Sequence, residues 1–417
     1  MRVLWFTPSP GLYFPTTYGT WVEALQKAIM RYSKDLEVGL CFEFGNSNSK
    51  LVKDGFTYYP IDIKTSIKNK IKILSSPREE YAPLRVHYLQ AINDFKPDII
   101  HCFGTEMWHY SLLAKEVNIP MVVHIMGFQN IYYDMSNIVT HESDIYRNCH
   151  YNPFSIFRYA YFRKKKSEIR CQMELEEMKV NHYFMGRTDW DKSIVKFLSP
   201  GSKYYYCAEA IRPQIYDSQK VWELHKNKRL RLITIGSGSD LKGNEIILKT
   251  AKILKKILVI DDFEWRVTTN AKAIRPYEKI VSIKHEDVNV NLIGRVDTEG
   301  IINELSNADI YVHPAIIDNS PNTLCEAQLI GIPVIATNVG GIPQLVENGK
   351  TGILYPYNES YALAFHIMDL FQDKKKMLSI SKQEYTMSHI RHNPEEIVRN
   401  LTNIYSDIIK DVKLVSK

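Results

Sequence analysis

The run A-D-I-Y-V-H-P-A-I-I-D-N-S-P-N-T-L-C-E-A-Q-L-I-G-I-P-V-I-A-T-N-V-G-G, residues 308–341, decides the fold of this chain. Ile310 to His313 is a short β-branched and aromatic stretch closed by Pro314, the pattern of a buried strand. Ser320 is expected to cap the next helix, with Pro321 at its first position, where a missing N–H costs nothing. Leu324, Ala327, Leu329 and Ile330 give that helix an apolar face, and Gly331 suits its C-terminal end. Val334 to Ala336 reads as a second buried strand, followed by Gly340 and Gly341. Strand, loop, helix, strand is the repeat of a parallel sheet.

Such a unit makes a place for phosphate. The amide groups and positive dipole end of a helix starting near Ser320 face the carboxyl edge of the sheet. Helical side chains lean toward the N-terminus, so Glu326 reaches the same spot, where a carboxylate can accept hydrogen bonds from a ribose diol. Asp318 lies on the loop just before, across the same edge. Taken alone, these residues also allow a plainer reading, with Glu326 a solvated helix residue and Asp318 a loop residue.

Asp318 and Glu326 are separated by seven residues and followed by A-Q-L-I-G-I-P-V-I-A-T-N-V-G-G-I-P-Q-L-V-E-N-G-K-T-G-I-L-Y-P. This resembles the nucleotide-sugar signature of the retaining glycosyltransferases of family 4, with Asp318 standing in place of the first glutamate. The resemblance implies an α/β fold of the GT-B class: two Rossmann-like domains with a cleft between them and a C-terminal helix crossing back. It implies that Asp318, Asn319, Ser320, Asn322, Thr323 and Leu324 meet the donor sugar and diphosphate, with Glu326 on the ribose. The segment G-S-G-S-D-L-K-G, residues 236–243, resembles the family's phosphate clamp. There Gly236 opens the loop, Ser237 stands where an arginine is usual, and Lys242 neutralises the diphosphate leaving group. Gly294, Arg295 and Val296 match a turn whose backbone contacts the base, and Gly19 matches a glycine that approaches the donor phosphates.

The length of 417 residues favours two or three domains, and 45% hydrophobic with 24% charged residues are ordinary for a globular protein. The expected division is residues 1–212 for an acceptor-binding domain, 213–390 for a nucleotide-sugar domain, and 391–417 for the returning helix. No run of eighteen apolar residues occurs. M-R-V-L-W-F-T-P reads as a strand, with Pro8 and Pro10 where the core of a signal peptide would continue, so a cytoplasmic protein is expected. Six scattered cysteines without a C-x-x-C pair argue for reduced thiols and against a zinc site. The net charge of +6 is mild.

Strands alternate with helices through the first half: Arg2 to Thr7, Glu37 to Phe44, Thr57 to Ile61, a helix from about Pro83 to Asp94, then Asp98 to Phe103 and Met121 to Ile125. A helix is expected from Thr20, a candidate for the acceptor cleft at the strand-to-helix junction. G-T-E-M-W-H-Y places Glu106 and His109 near the carboxyl edge of the first sheet, where an acid or imidazole can bind acceptor hydroxyls or assist their deprotonation. Met126 occupies a position where many members of the resembling family have a donor-contacting histidine. Gln129 and Arg187 are polar candidates for the same cleft. Asp189 and Asp191 form a D-x-D, but both fall in a first helical turn after a threonine cap, so a dipole-complementing role is expected rather than a metal site. Residues 154–166 interleave aromatic and basic side chains and suit either an anionic lipid surface or an ordinary helix with a solvated end. No nucleic-acid motif accompanies the charge.

The resulting expectation is a metal-independent retaining transferase without a cofactor. It takes a UDP- or GDP-sugar donor and a glycan acceptor, lipid-linked if the 154–166 stretch meets a membrane. A non-catalytic nucleotide-sugar-binding subunit and a GT-B nucleotide-sugar epimerase are the competing readings.

Overall fold

The computed structural model describes residues 1–15, 19–45, 49–62, 76–139, 152–157, 164–226, 229–236, 241–257 and 263–415. Two compact units result. One holds the described residues up to Ala210 except Gly19, together with Pro394–Lys417, and the other holds Gly19 and Ile211–Asn393.

In the first unit β1 (Arg2–Phe6), β2 (Glu37–Glu43), β3 (Leu51–Lys53), β4 (Phe56–Ile61), β5 (Ile99–Phe103), β6 (Met121–His124), β7 (Tyr183–Gly186) and β8 (Lys203–Tyr206) form one sheet in the order β3-β4-β2-β1-β5-β6-β7-β8. All pairs are parallel except β3 with β4. A parallel sheet is covered on both faces, and β1 shows the result: Val3, Leu4, Trp5 and Phe6 are all fully buried. Val3 and Trp5 join one apolar cluster, Leu4 and Phe6 the other, as alternation along a strand requires.

The helix Pro394–Val415 covers the Trp5 face, burying Ile397, Val398, Leu401, Ile404, Tyr405 and Ile408 at helical spacing beside Val22, Leu25 and Ile29 of the helix Trp21–Tyr32. The opposite face takes the helix Pro77–Phe95, which begins six residues before the expected start at Pro83. Pro83 sits inside this helix and removes one hydrogen bond, a cost of about 3 kcal/mol. Burial of Leu84, Tyr88, Ala91, Ile92 and Phe95 offsets it.

In the second unit β9 (Leu230–Thr234), β10 (Phe263–Val267), β11 (Val290–Leu292), β12 (Ile310–His313), β13 (Val334–Thr337) and β14 (Ile353–Tyr355) pair in the order β11-β10-β9-β12-β13-β14, all parallel. The order reverses between β9 and β12. Ligands of open α/β sheets bind at such a switch point, beyond the carboxyl ends of the strands. The helix Asn322–Ile330 follows β12 and is capped by Pro321, not Ser320. The Pro321 carbonyl accepts from Leu324 and Cys325, so the helix opens one residue later than the cap preference of serine suggests, and Ser320 stays buried in the preceding loop.

Two glycines, Gly243 and Gly340, are steric necessities. A Cβ on Gly243 would lie 1.8 Å from the Pro314 carbonyl oxygen, and one on Gly340 2.0 Å from that of Asp318. Both have positive φ, and both let their loops close on the 314–318 segment.

Candidate functional site

The carboxyl edge of the second sheet gathers the predicted donor-site residues. Lys242 forms an ion pair with the Asp318 carboxylate. His313 Nε2, at the end of β12, stands 3.4 Å from Asp318 Oδ2. Burial works against a charged Asp318, but Lys242 and His313 together hold its carboxyl well below the usual carboxylate range. His313 is itself held below its ordinary value by burial, with Asp318 opposing. Its Nδ1 lies 3.1 Å from Tyr311 Oη, which lies 3.1 Å from Thr323 Oγ1. Thr323 is thereby tied to the strand, and the first amides of the Asn322–Ile330 helix, without acceptors inside the helix, end beside the Asp318 loop.

Glu326, one turn further, is buried. Arg212 reaches both its oxygens, Nε to Oε1 at 2.8 Å and Nη2 to Oε2 at 2.6 Å. Burial raises the Glu326 carboxyl above its ordinary value, and Arg212 opposes. Arg212 also donates to Thr298 Oγ1 at 3.1 Å. Sequence reasoning missed Arg212. It lies 114 residues from Glu326 in an Ile-Arg-Pro context with no motif, and only the fold joins them.

The other donor-site candidates distribute as follows. Asn319 and Ser320 are buried in the loop, and the Asn319 amide donates to Asp318 Oδ1 at 3.1 Å. Leu324 turns into the apolar core, and its N–H is taken by Pro321, so it offers the site nothing directly. Gly236 lies two residues beyond β9, where a Cβ would stand 3.5 Å from Thr323 Cγ2. Ser237 lies outside the described residues. Gly294, Arg295 and Val296 form the turn after β11, with Arg295 exposed and the Gly294 amide bonded to the Thr269 carbonyl at 3.0 Å.

In the first unit the candidates divide. Thr20 caps the Trp21–Tyr32 helix through its hydroxyl, and Gly19 precedes it. The Gln129 amide opens the helix Gln129–Val139 and donates to Glu174, a structural role. Glu106 is half-buried beside Glu174 and Glu177. Burial, then these neighbouring carboxylates, push its carboxyl up to about 7, against hydrogen bonds from its own and the Thr105 amide. His109 is buried, with Nδ1 2.9 Å from Glu177 Oε2, and borders a hollow of about 20 Å³ with Tyr81, Trp108 and Arg170. Arg187 is buried after β7. Its amide donates to Asp191 Oδ2 at 3.0 Å and its Nη2 lies 3.3 Å from Met126 Sδ. Asp191 completes a capping box with Thr188, as the D-x-D reading anticipated. Of the 154–166 stretch, 158–163 lies outside the described residues. Phe154 and Phe157 are exposed, where a helix packing its aromatics inward would bury them. No described helix is long and apolar enough to cross a membrane.

Residues 217–387 match the family described as glycosyl transferases group 1. The chain is 25% identical over 205 residues to the amylovoran biosynthesis glycosyltransferase AmsK of Erwinia amylovora, a match covering 46% of this chain and 47% of that one. It thus spans about half the length of this relative. Among solved structures, sucrose-phosphate synthase from Thermosynechococcus elongatus superposes with a TM-score of 0.74 at 13% identity, over 98% of this chain and 99% of that one. HepE of Anabaena, solved in complex with UDP and glucose, has a TM-score of 0.63 at 14% identity, over 98% of this chain and 100% of that one. These likenesses place the fold in the GT-B class. With the family match lying on its second unit, the chain is similar, over residues 217–387, to the glycosyl transferases group 1.

Proposed function

We propose that the protein transfers a sugar from a nucleoside-diphosphate sugar to a glycan acceptor, with retention of anomeric configuration, in the assembly of a polysaccharide. The observation that carries this reading is the grouping of Lys242, Asp318, Glu326 and a helix N-terminus at the switch point of a parallel sheet. Lys242 and the Asn322 and Thr323 amides supply positive charge for a diphosphate. Glu326, oriented by Arg212, accepts from a ribose diol. Asp318, between Lys242 and His313, meets the sugar ring.

When a diphosphate arrives, it competes with Asp318 for Lys242. The lysine then stabilises the charge that grows on the leaving phosphate as the glycosidic bond breaks. The departing phosphate takes the acceptor proton in this scheme, and no divalent metal is needed. The relation to AmsK supports a polysaccharide acceptor, and the UDP complex of HepE supports a nucleotide-sugar donor.

Melting the protein with UDP-, GDP- and ADP-sugars tests the donor, because a ligand that binds the native state raises the melting temperature. One nucleotide class should raise it, and Lys242→Ala should abolish the rise. A rise that survives both Lys242→Ala and Glu326→Ala would place the donor elsewhere. Hydrolysis of that donor by the protein alone separates a transferase from a non-catalytic binding subunit.

A further inference from the structure

Within the first unit a chain of hydrogen bonds runs from the C-terminal helix to a small cavity. Trp5 Nε1 lies 3.2 Å from Tyr405 Oη, Tyr405 Oη 2.6 Å from His101 Nδ1, and His101 Nε2 3.3 Å from His124 Nδ1. All four side chains are buried. The direction of the chain follows from its members. An indole N–H can only donate, so the Tyr405 oxygen accepts from Trp5. The one proton of Tyr405 then goes to His101 Nδ1, because the alternative leaves a buried O–H without an acceptor, at a cost of about 1–3 kcal/mol.

Burial holds both imidazoles well below their ordinary value, with Arg187 and His101 adding to the effect at His124, so both rings are neutral. A neutral ring carries one N–H. Since His101 Nδ1 accepts, its proton sits on Nε2 and is donated to His124 Nδ1. The proton of His124 is therefore on Nε2.

His124 Nε2 has no hydrogen-bond partner, and neither has Arg187 Nε. Both residues line one cavity of about 10 Å³, together with Glu209, Trp21, Phe103 and Leu401. That is room for about one oxygen atom with its proton. Glu209 Oε2 stands 3.6 Å from Arg187 Nε. Two N–H donors beside a carboxylate suit a neutral hydroxyl, which accepts from the donors and gives its own proton to the acid. A phosphate carries negative charge and is repelled by Glu209.

We infer that this cavity receives one hydroxyl of a sugar substrate, and that Tyr405 on the C-terminal helix is the positioning residue that makes His124 the donor to it. The substrate class rests on the glycosyl-transfer reading; the proton arrangement does not. The test is long-range nitrogen–proton NMR on the full chain with isotope-labelled histidine, assigned through His101→Gln and His124→Gln.

The unliganded parent should show His101 and His124 protonated at Nε2. Tyr405→Phe removes the donor to His101 Nδ1, so both rings should become mixtures of the two neutral tautomers while circular dichroism stays that of the parent. Glycerol, as the simplest polyol, should shift the His124 Nε2 signal, and inorganic phosphate should not. His124 protonated at Nδ1 in the parent overturns the relay, whether or not the variant folds, as do tautomers unchanged in Tyr405→Phe. A His124 signal unmoved by glycerol, or moved by phosphate, overturns the hydroxyl site. Failure of the nucleotide sugars to raise the melting temperature would instead remove the substrate class and leave the tautomers standing.

Discussion

In the second unit the two acids at the sheet edge face long cationic side chains, Glu326 facing Arg212 and Asp318 facing Lys242. In the first unit Glu174 and Glu177, buried on one helix, face groups that the fold holds in place. Glu174 accepts from the Thr105 hydroxyl at 2.8 Å, the Gln129 and Asn130 amides at 2.7 and 2.9 Å, and the Asn130 side chain at 2.6 Å. Glu177 takes the Ser111 hydroxyl at 2.8 Å and the His109 ring. The difference teaches which acids can work on a ligand. An acid held by backbone amides is fixed by the fold and completes a helix start. One held by a flexible lysine or arginine can exchange that partner for a ligand group of the right charge.

The contrast is most exposed at Glu174. Glu174→Ala takes the acceptor from the buried Thr105 hydroxyl and from the partly buried Gln129 and Asn130 amides, and should cost about 3–5 kcal/mol, read from urea unfolding. Glu326→Ala should cost less, about 2 kcal/mol, since Arg212 is partly exposed and can turn to water, yet it should remove the melting response to donor. If Glu326→Ala proves the more destabilising of the two, the division between fixed and exchangeable partners fails.

Asp318→Asn tests exchange directly. It frees Lys242 and removes a negative charge beside the diphosphate, so free UDP should bind roughly threefold to tenfold more tightly, about 1 kcal/mol by calorimetry, while sugar transfer falls. Weaker UDP binding would mean that Asp318 does not compete for the lysine.

The contributions of Glu106 and Asp318 should depend on pH in opposite directions. Glu106, raised to about 7, binds its proton more tightly folded than unfolded, so its contribution is fully present below the ordinary glutamate range and is lost as the pH rises through about 7. Asp318 is lowered, so its contribution is present above the ordinary aspartate range and is lost as the pH falls toward its depressed folded-state value. Glu106→Gln lacks this contribution, so the difference between its unfolding midpoints at about pH 5 and about pH 8 should shift, relative to the parent, in favour of the higher pH. An unchanged difference would show that Glu106 titrates normally. The smallest effect is expected at Thr188→Ala, where loss of the capping box should cost about 1 kcal/mol with donor binding untouched.

Much of this was legible locally. The β12–helix–β13 unit, the helix start near Thr20, the threonine cap at Thr188, and the apolar stripe of the C-terminal helix follow from period and cap chemistry that each segment carries within itself. The start of the helix at Pro77 was not legible, because burial along the whole helix outweighs the defect at Pro83, and burial is a property of the packed unit. The cap at Pro321 in place of Ser320 has a similar cause: the loop before it is buried against its neighbours and sets where the helix can open.

The sequence by itself determined the alternation of strands and helices and the acid spacing of Asp318 and Glu326, since each depends on neighbours a few residues away. Only the tertiary structure decided which partner each buried polar group has. Arg212 meets Glu326 across 114 residues, and Tyr405 meets His101 across 304. Spacing along the chain carries no signal for such pairs. Their geometry is set by which strands and helices pack together, and a buried charge or proton must then be satisfied by whatever that packing brings within reach.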